Sequence, residues 1–133
     1  VLHHSIRAGV TFFIPGTHGA EHHAGTKPMY NENVVVKHYP NAFRETSLAG
    51  ILGRHDVSHL VLCGAMSHMC IDASTRAAYD AGFRCTVLAD ACATRDLAYN
   101  GEIVPAAQVH AAFMAALATP YAEIVSTSTL MAE

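Results

Sequence analysis

Leu60-Val61-Leu62-Cys63-Gly64-Ala65-Met66-Ser67-His68-Met69-Cys70-Ile71-Asp72 joins an apolar run to a helical pattern through a glycine. The run from His59 to Cys63 does not alternate polar with apolar residues, which suits a strand covered on both faces, as in a parallel sheet. Gly64 ends that strand and a tight turn follows. Ser67 is placed to cap the next helix. That helix is predicted to run to Ala81 and to stop at Gly82, a C′ glycine. Cys70 then falls in the helix's first turn, at the carboxyl end of a strand, where open α/β sheets bind ligands.

The same alternation extends in both directions. Val34-Val35-Val36, Arg84–Ala89 and Ala122–Ser126 are further short runs rich in β-formers. Helices are predicted over about 47–54 and from Pro105 to before Pro120. The later helix carries an apolar stripe of Val109, Ala112, Phe113, Ala116 and Leu117 at helical spacing. Strands alternating with helices predict an α/β sandwich. Residues 5–33 are rich in Gly, His and Pro and read as a long loop, a common site of function.

The chain has 133 residues, one domain's worth. Half is apolar, 51%, and 14% is charged, which suits a packed core rather than a disordered tail. The net charge of −3, with no basic run, argues against nucleic acid and membrane surfaces as partners. There is no membrane-length apolar stretch and no signal-peptide pattern. Four cysteines, without a CxxC pair, point to reduced thiols, a cytoplasmic location and no structural zinc site of that type. Cys63 and Cys85, inside apolar runs, read as core residues.

A thiol at position 70 would feel the unpaired N–H groups and the positive end of the helix dipole, which favour the reactive thiolate. The position fits a core cysteine packed on the sheet as well as a nucleophile. Lys37 ends a strand, where a lysine can favour a thiolate or hold a carboxylate. It equally fits a strand-end lysine reaching water. Asp72 and Arg76, four apart, are expected to pair on the helix surface. Asp90, at a strand end, fits a catalytic carboxylate, with capping of the turn over 91–94 the favoured expectation.

Together these segments resemble a known family. Gly64-Ala65-Met66-Ser67-His68-Met69-Cys70 is similar to the G-V-x-T-x-x-C segment of the isochorismatase-like cysteine hydrolases. Val35-Val36-Lys37-His38 with Asn41-Ala42-Phe43 resembles that family's lysine strand and S-A-F turn. Gly16-Thr17-His18-Gly19-Ala20-Glu21 resembles its G-T-x-G-A-E loop, and Asp90-Ala91-Cys92-Ala93 its D-A-C-A stretch. The late helix with His110 matches too.

The resemblance implies a Rossmann-like three-layer sandwich with a parallel sheet in the order 3-2-1-4-5-6, spanning 1–133 as one domain. It implies an Asp–Lys–Cys triad, with Cys70 attacking an amide, carbamoyl or ureido carbonyl and Lys37 assisting. It further implies a cis peptide at Ala65–Met66 and an oxyanion hole from the N–H groups of Met66 and Cys70. Tyr39, Asn41, Phe43 and His68 are the expected pocket residues; for Phe43 and His68, packing is an equal alternative. No residue matches the triad aspartate. The family's first strand is expected to be missing from this chain, leaving a gap beside the Leu60–Cys63 strand.

Homo-oligomers are expected from the same resemblance, with a small-molecule substrate and no cofactor. His3-His4 and His22-His23 offer imidazoles for zinc, a minority reading. Phe12 stands where the related nicotinamidases place a metal-binding His. Two other functions stay open: vinyl-ether hydrolysis of an isochorismate-like substrate, and a non-catalytic scaffold that lacks the aspartate.

Overall fold

The computed structural model describes residues 1–6 and 9–132. Among the described residues, seven strands and four α-helices follow in the order β1 (Leu2–His3), β2 (Val36–Lys37), α1 (Leu48–Arg54), β3 (His59–Ala65), α2 (Asp72–Asp80), β4 (Arg84–Ala93), β5 (Leu97–Tyr99), β6 (Glu102–Val104), α3 (Ala106–Leu117), β7 (Glu123–Val125) and α4 (Thr127–Leu130). β3, β4 and β7 form a parallel sheet with β4 at its centre. β1 and β2 form a second parallel pair, with Leu2 opposite Val36 and His3 opposite Lys37. The α/β class holds, with strands that follow the apolar runs.

The core lies where α2 and α3 cover β4. Ile71, Val87, Met114 and Leu117 are buried together, with Tyr121 and Ile124 packed against them. Leu117 and Val87 are fully enclosed. From Cys85 to Leu88, β4 is buried residue after residue, the behaviour of a central parallel strand.

β3 departs from that expectation. Val61 is 47% exposed and Cys63, expected in the core, is also exposed. β3 pairs with β4 along one edge, and its residues from Leu60 to Ala65 line a groove of about 350 Å³ together with Val1 and Lys37. An apolar run marks a strand but does not say whether a neighbour covers it.

Other differences are local. The predicted helix from Ser67 begins as a π-helical turn, Ser67–Ile71, before α2. Met66, not Ser67, holds the N-cap position, and Ser67 is buried. Pro105 likewise precedes α3 as its N-cap residue. Gly82 does end the helical segment, with φ at +90°. β5 and β6 form an antiparallel hairpin that the sequence reading missed. Its turn is Asn100-Gly101, both at positive φ, the strongest short hairpin signal. β4 runs on to Ala93, so Asp90 caps no turn there. Its carboxylate instead accepts from the N–H and hydroxyl of Thr127, which tie α4 to β4 and hold the carboxyl below its ordinary range.

The expected 5–33 loop carries two short 3-10 turns, His18–Ala20 and Ala24–Thr26; its residues 7 and 8 lie outside the described residues. No helix among the described residues is long and apolar enough to cross a membrane.

Candidate active site

Cys70 is presented by the π-helical turn at the carboxyl end of β3. Gly64 makes the approach possible. It sits at φ +125°, where the β3–β4 register shifts, a conformation that side chains strain to adopt. The Ala65–Met66 peptide is cis. The Met66 carbonyl accepts from the N–H groups of Met69 and Ile71, which closes the turn.

Lys37 arrives from β2 and is 4% exposed. Its Nζ lies 3.1 Å from Cys70 Sγ, 2.8 Å from the Tyr39 carbonyl, 3.2 Å from the Pro40 carbonyl and 3.0 Å from His3 Nδ1. An ammonium has three N–H bonds, so four acceptors share them. A buried ammonium needs such acceptors, because each replaces a lost water. α2 supports the cage as well. Ser74, one turn beyond Cys70, donates to the Pro40 carbonyl at 3.2 Å and accepts from the Ala42 N–H at 3.0 Å. One helical segment therefore carries the thiol and fixes the loop that holds the lysine.

His3 is the residue that sequence reasoning missed in this role. The β1–β2 register sets it opposite Lys37. An Nδ1 that accepts from an ammonium is unprotonated, so the imidazole is neutral with its proton on Nε2. Burial is the main cause that pushes His3 below its ordinary value, followed by the charges of Lys37, His38 and His4. The signal was available: parallel pairing of two three-residue runs places these side chains on one face.

The expected pocket residues divide. Phe43 lines the β3 groove and stacks on Phe83 at 6.0 Å. Tyr39 contributes its carbonyl to Lys37, while its ring lies under the Arg44 guanidinium at 3.7 Å. Asn41 accepts from the Phe43 N–H, a local turn role. His68 shares a 2.6 Å hydrogen bond with Thr94 and meets the Phe113 ring edge-on. Burial, then the Arg95 charge, pushes it below its ordinary value.

The remaining thiols differ from Cys70 in setting. Burial pushes the Cys85 and Cys92 thiols up, a direction that disfavours the thiolate. Among the described residues, no group of three or more His, Cys, Asp or Glu is arranged to hold a metal ion. Asp72 and Arg76 pair at 2.9 Å, with Arg76 also over the Tyr121 ring.

Comparison with known proteins places this arrangement in context. The family model described as the isochorismatase domain matches residues 3–129. An isochorismatase family protein of Bacillus subtilis is 49% identical over 120 residues, covering 90% of this chain and 67% of that protein. A streptothricin hydrolase of Streptomyces noursei is 38% identical over 96 residues, covering 70% of this chain and 35% of that protein. The crystal structure of an isochorismatase hydrolase from Oleispira antarctica superposes with a TM-score of 0.93 at 49% identity, covering 99% of this chain and 70% of that one.

Proposed function

The chain belongs to the isochorismatase family of hydrolases, and on that premise we propose that it cleaves a C–N bond of a small amide, carbamoyl or ureido compound through a thioester on Cys70. The observation that carries this reading is the 3.1 Å contact between Lys37 Nζ and Cys70 Sγ, formed by residues 33 apart in the chain.

The steps follow from that contact. The Cys70 thiolate, held beside the Lys37 ammonium, attacks the carbonyl carbon and forms the C–S bond. The N–H groups of Met66 and Cys70 receive the developing oxyanion. The C–N bond breaks as Lys37 passes a proton to the leaving nitrogen. Water then attacks the thioester, Lys37 takes back a proton, and the acid departs from the restored thiolate. Neutral His3 and the carbonyls of Tyr39 and Pro40 hold the lysine in place throughout. Phe43, on the wall of the groove that Cys70 and Lys37 also line, borders the substrate. Vinyl-ether hydrolysis needs no thiol, so the Lys37–Cys70 pairing supports the thioester route over it.

The test uses p-nitrophenyl acetate as an acylating probe, with peptide mapping by mass spectrometry. One acetyl group should appear on the Cys70 peptide. Cys70→Ala should lose both the adduct and amide hydrolysis while its thermal melt stays close to that of the unchanged protein. Acylation elsewhere, or hydrolysis that survives in Cys70→Ala, would refute the mechanism.

A further inference from the structure

The turn that presents Cys70 is anchored from outside. Ser67, its first residue, is fully buried. A serine at a helix start usually spends its hydroxyl on the N–H groups of its own first turn. Here the hydroxyl reaches away, to His110 Nδ1 at 2.9 Å and to the Ala93 carbonyl at 3.4 Å. Ala93 is the end of β4 and pairs with Ala65, the last residue of β3. His110 belongs to α3. The bond to His110 forms with either tautomer, the hydroxyl donating to a bare Nδ1 or accepting from Nδ1–H.

α3 reaches the turn a second time. Phe113, three residues on and so on the same helix face, meets the ring of His68. Two consecutive residues of the turn, Ser67 and His68, thus rest on two residues of α3. The helix does not need His110 for its own packing, because Val109, Met114 and Leu117 supply its buried contacts. A half-buried imidazole on the neighbouring face adds direction rather than apolar area.

We propose that His110 is a positioning residue for the nucleophile: acting through Ser67, it fixes the turn that aims the Cys70 thiol at Lys37 and at the substrate carbonyl. The inference rests on Cys70 being the reactive thiol. It makes α3 part of the catalytic apparatus, although α3 supplies no group to the reacting atoms.

The experiment follows iodoacetamide labelling of Cys70 against Cys63, each quantified by peptide mass spectrometry. Cys63 is exposed on β3 and serves as the internal reference. Ser67→Ala and His110→Ala should each lower the Cys70-to-Cys63 rate ratio about fivefold, the worth of one ordinary hydrogen bond. The double variant should fall no further, because both substitutions remove the same bond. Ser67→Thr, which keeps the hydroxyl and matches the T of G-V-x-T-x-x-C, should restore the ratio. Should His110→Ala fail to fold, Ser67→Ala gives the same reading at the cost of a single oxygen atom.

A ratio unchanged in folded Ser67→Ala overturns the proposal, as do losses that multiply in the double variant. Equal labelling of Cys70 and Cys63 in the unchanged protein overturns both this inference and the nucleophile reading beneath it. Fast labelling of Cys70 that the variants leave untouched overturns this inference alone.

Discussion

Lys37→Met removes the ammonium beside Cys70 while keeping a side chain of similar length. In the structure Lys37 is 4% exposed and its Nζ lies 3.1 Å from Sγ. A hydrogen bond with a charged partner contributes about 1.5–3 kcal/mol. At about 1.4 kcal/mol per factor of ten, its loss should slow Cys70 alkylation at neutral pH by about 10- to 150-fold. The low end applies if water enters beside the methionine, because the groove along β3 opens at this point. The assay is iodoacetamide labelling of Cys70 under pseudo-first-order conditions, with circular dichroism to show that the variant is folded. The three other partners, His3 Nδ1 and the carbonyls of Tyr39 and Pro40, lose their donor as well, so a lower melting temperature should accompany the slowing. Labelling of folded Lys37→Met at the rate of the unchanged protein would refute the reasoning, since a 3.1 Å contact with a charged group cannot be removed without consequence for the sulfur it faces.

Two further outcomes follow from the packing and the charges. Leu117→Ala, at a fully enclosed core position, should destabilise the protein by about 2–5 kcal/mol in urea unfolding; a smaller loss would mean the cavity collapses. Burial and the neighbouring Lys37 charge push His3 below its ordinary value of 6.5, so the stability tied to its neutral form is fully present above 6.5 and is lost as the pH falls through its lowered folded value. Thermal melts taken from about pH 8 to about pH 5 should show the decline, and His3→Asn should flatten it; an equal slope in both proteins would remove His3 as the cause.

Much of the fold was legible because it depends on local pattern. The unbroken β4 run marks a covered strand, and Gly82 marks a helix end that the backbone adopts. The α3 helix was legible but its buried side was not: Val109, Met114 and Leu117 are buried, while Ala112 and Ala116 of the expected stripe are exposed. The hairpin of β5 and β6 was legible too, in Asn100-Gly101, but its strands are only three residues each. Ser67 shows the limit of such rules. Its residue type and place suggest a cap, yet a histidine 43 residues later offers a competing partner and takes the hydroxyl. Cys63 shows another limit, since its Leu-Val-Leu run by itself reads as a covered strand, and the gap beside it was expected only from the family resemblance.

The sequence by itself determined the class of fold, the place of Cys70 in a first turn after β3, and the place of Lys37 at a strand end, because each follows from neighbours within a few residues. Only the tertiary structure decided that the thiol and the ammonium meet. It also decided that His3 shares the ammonium and that α3 anchors the nucleophile's turn through His110. Those contacts depend on strand register and helix packing across 34, 33 and 43 residues of chain, distances over which no local period carries information.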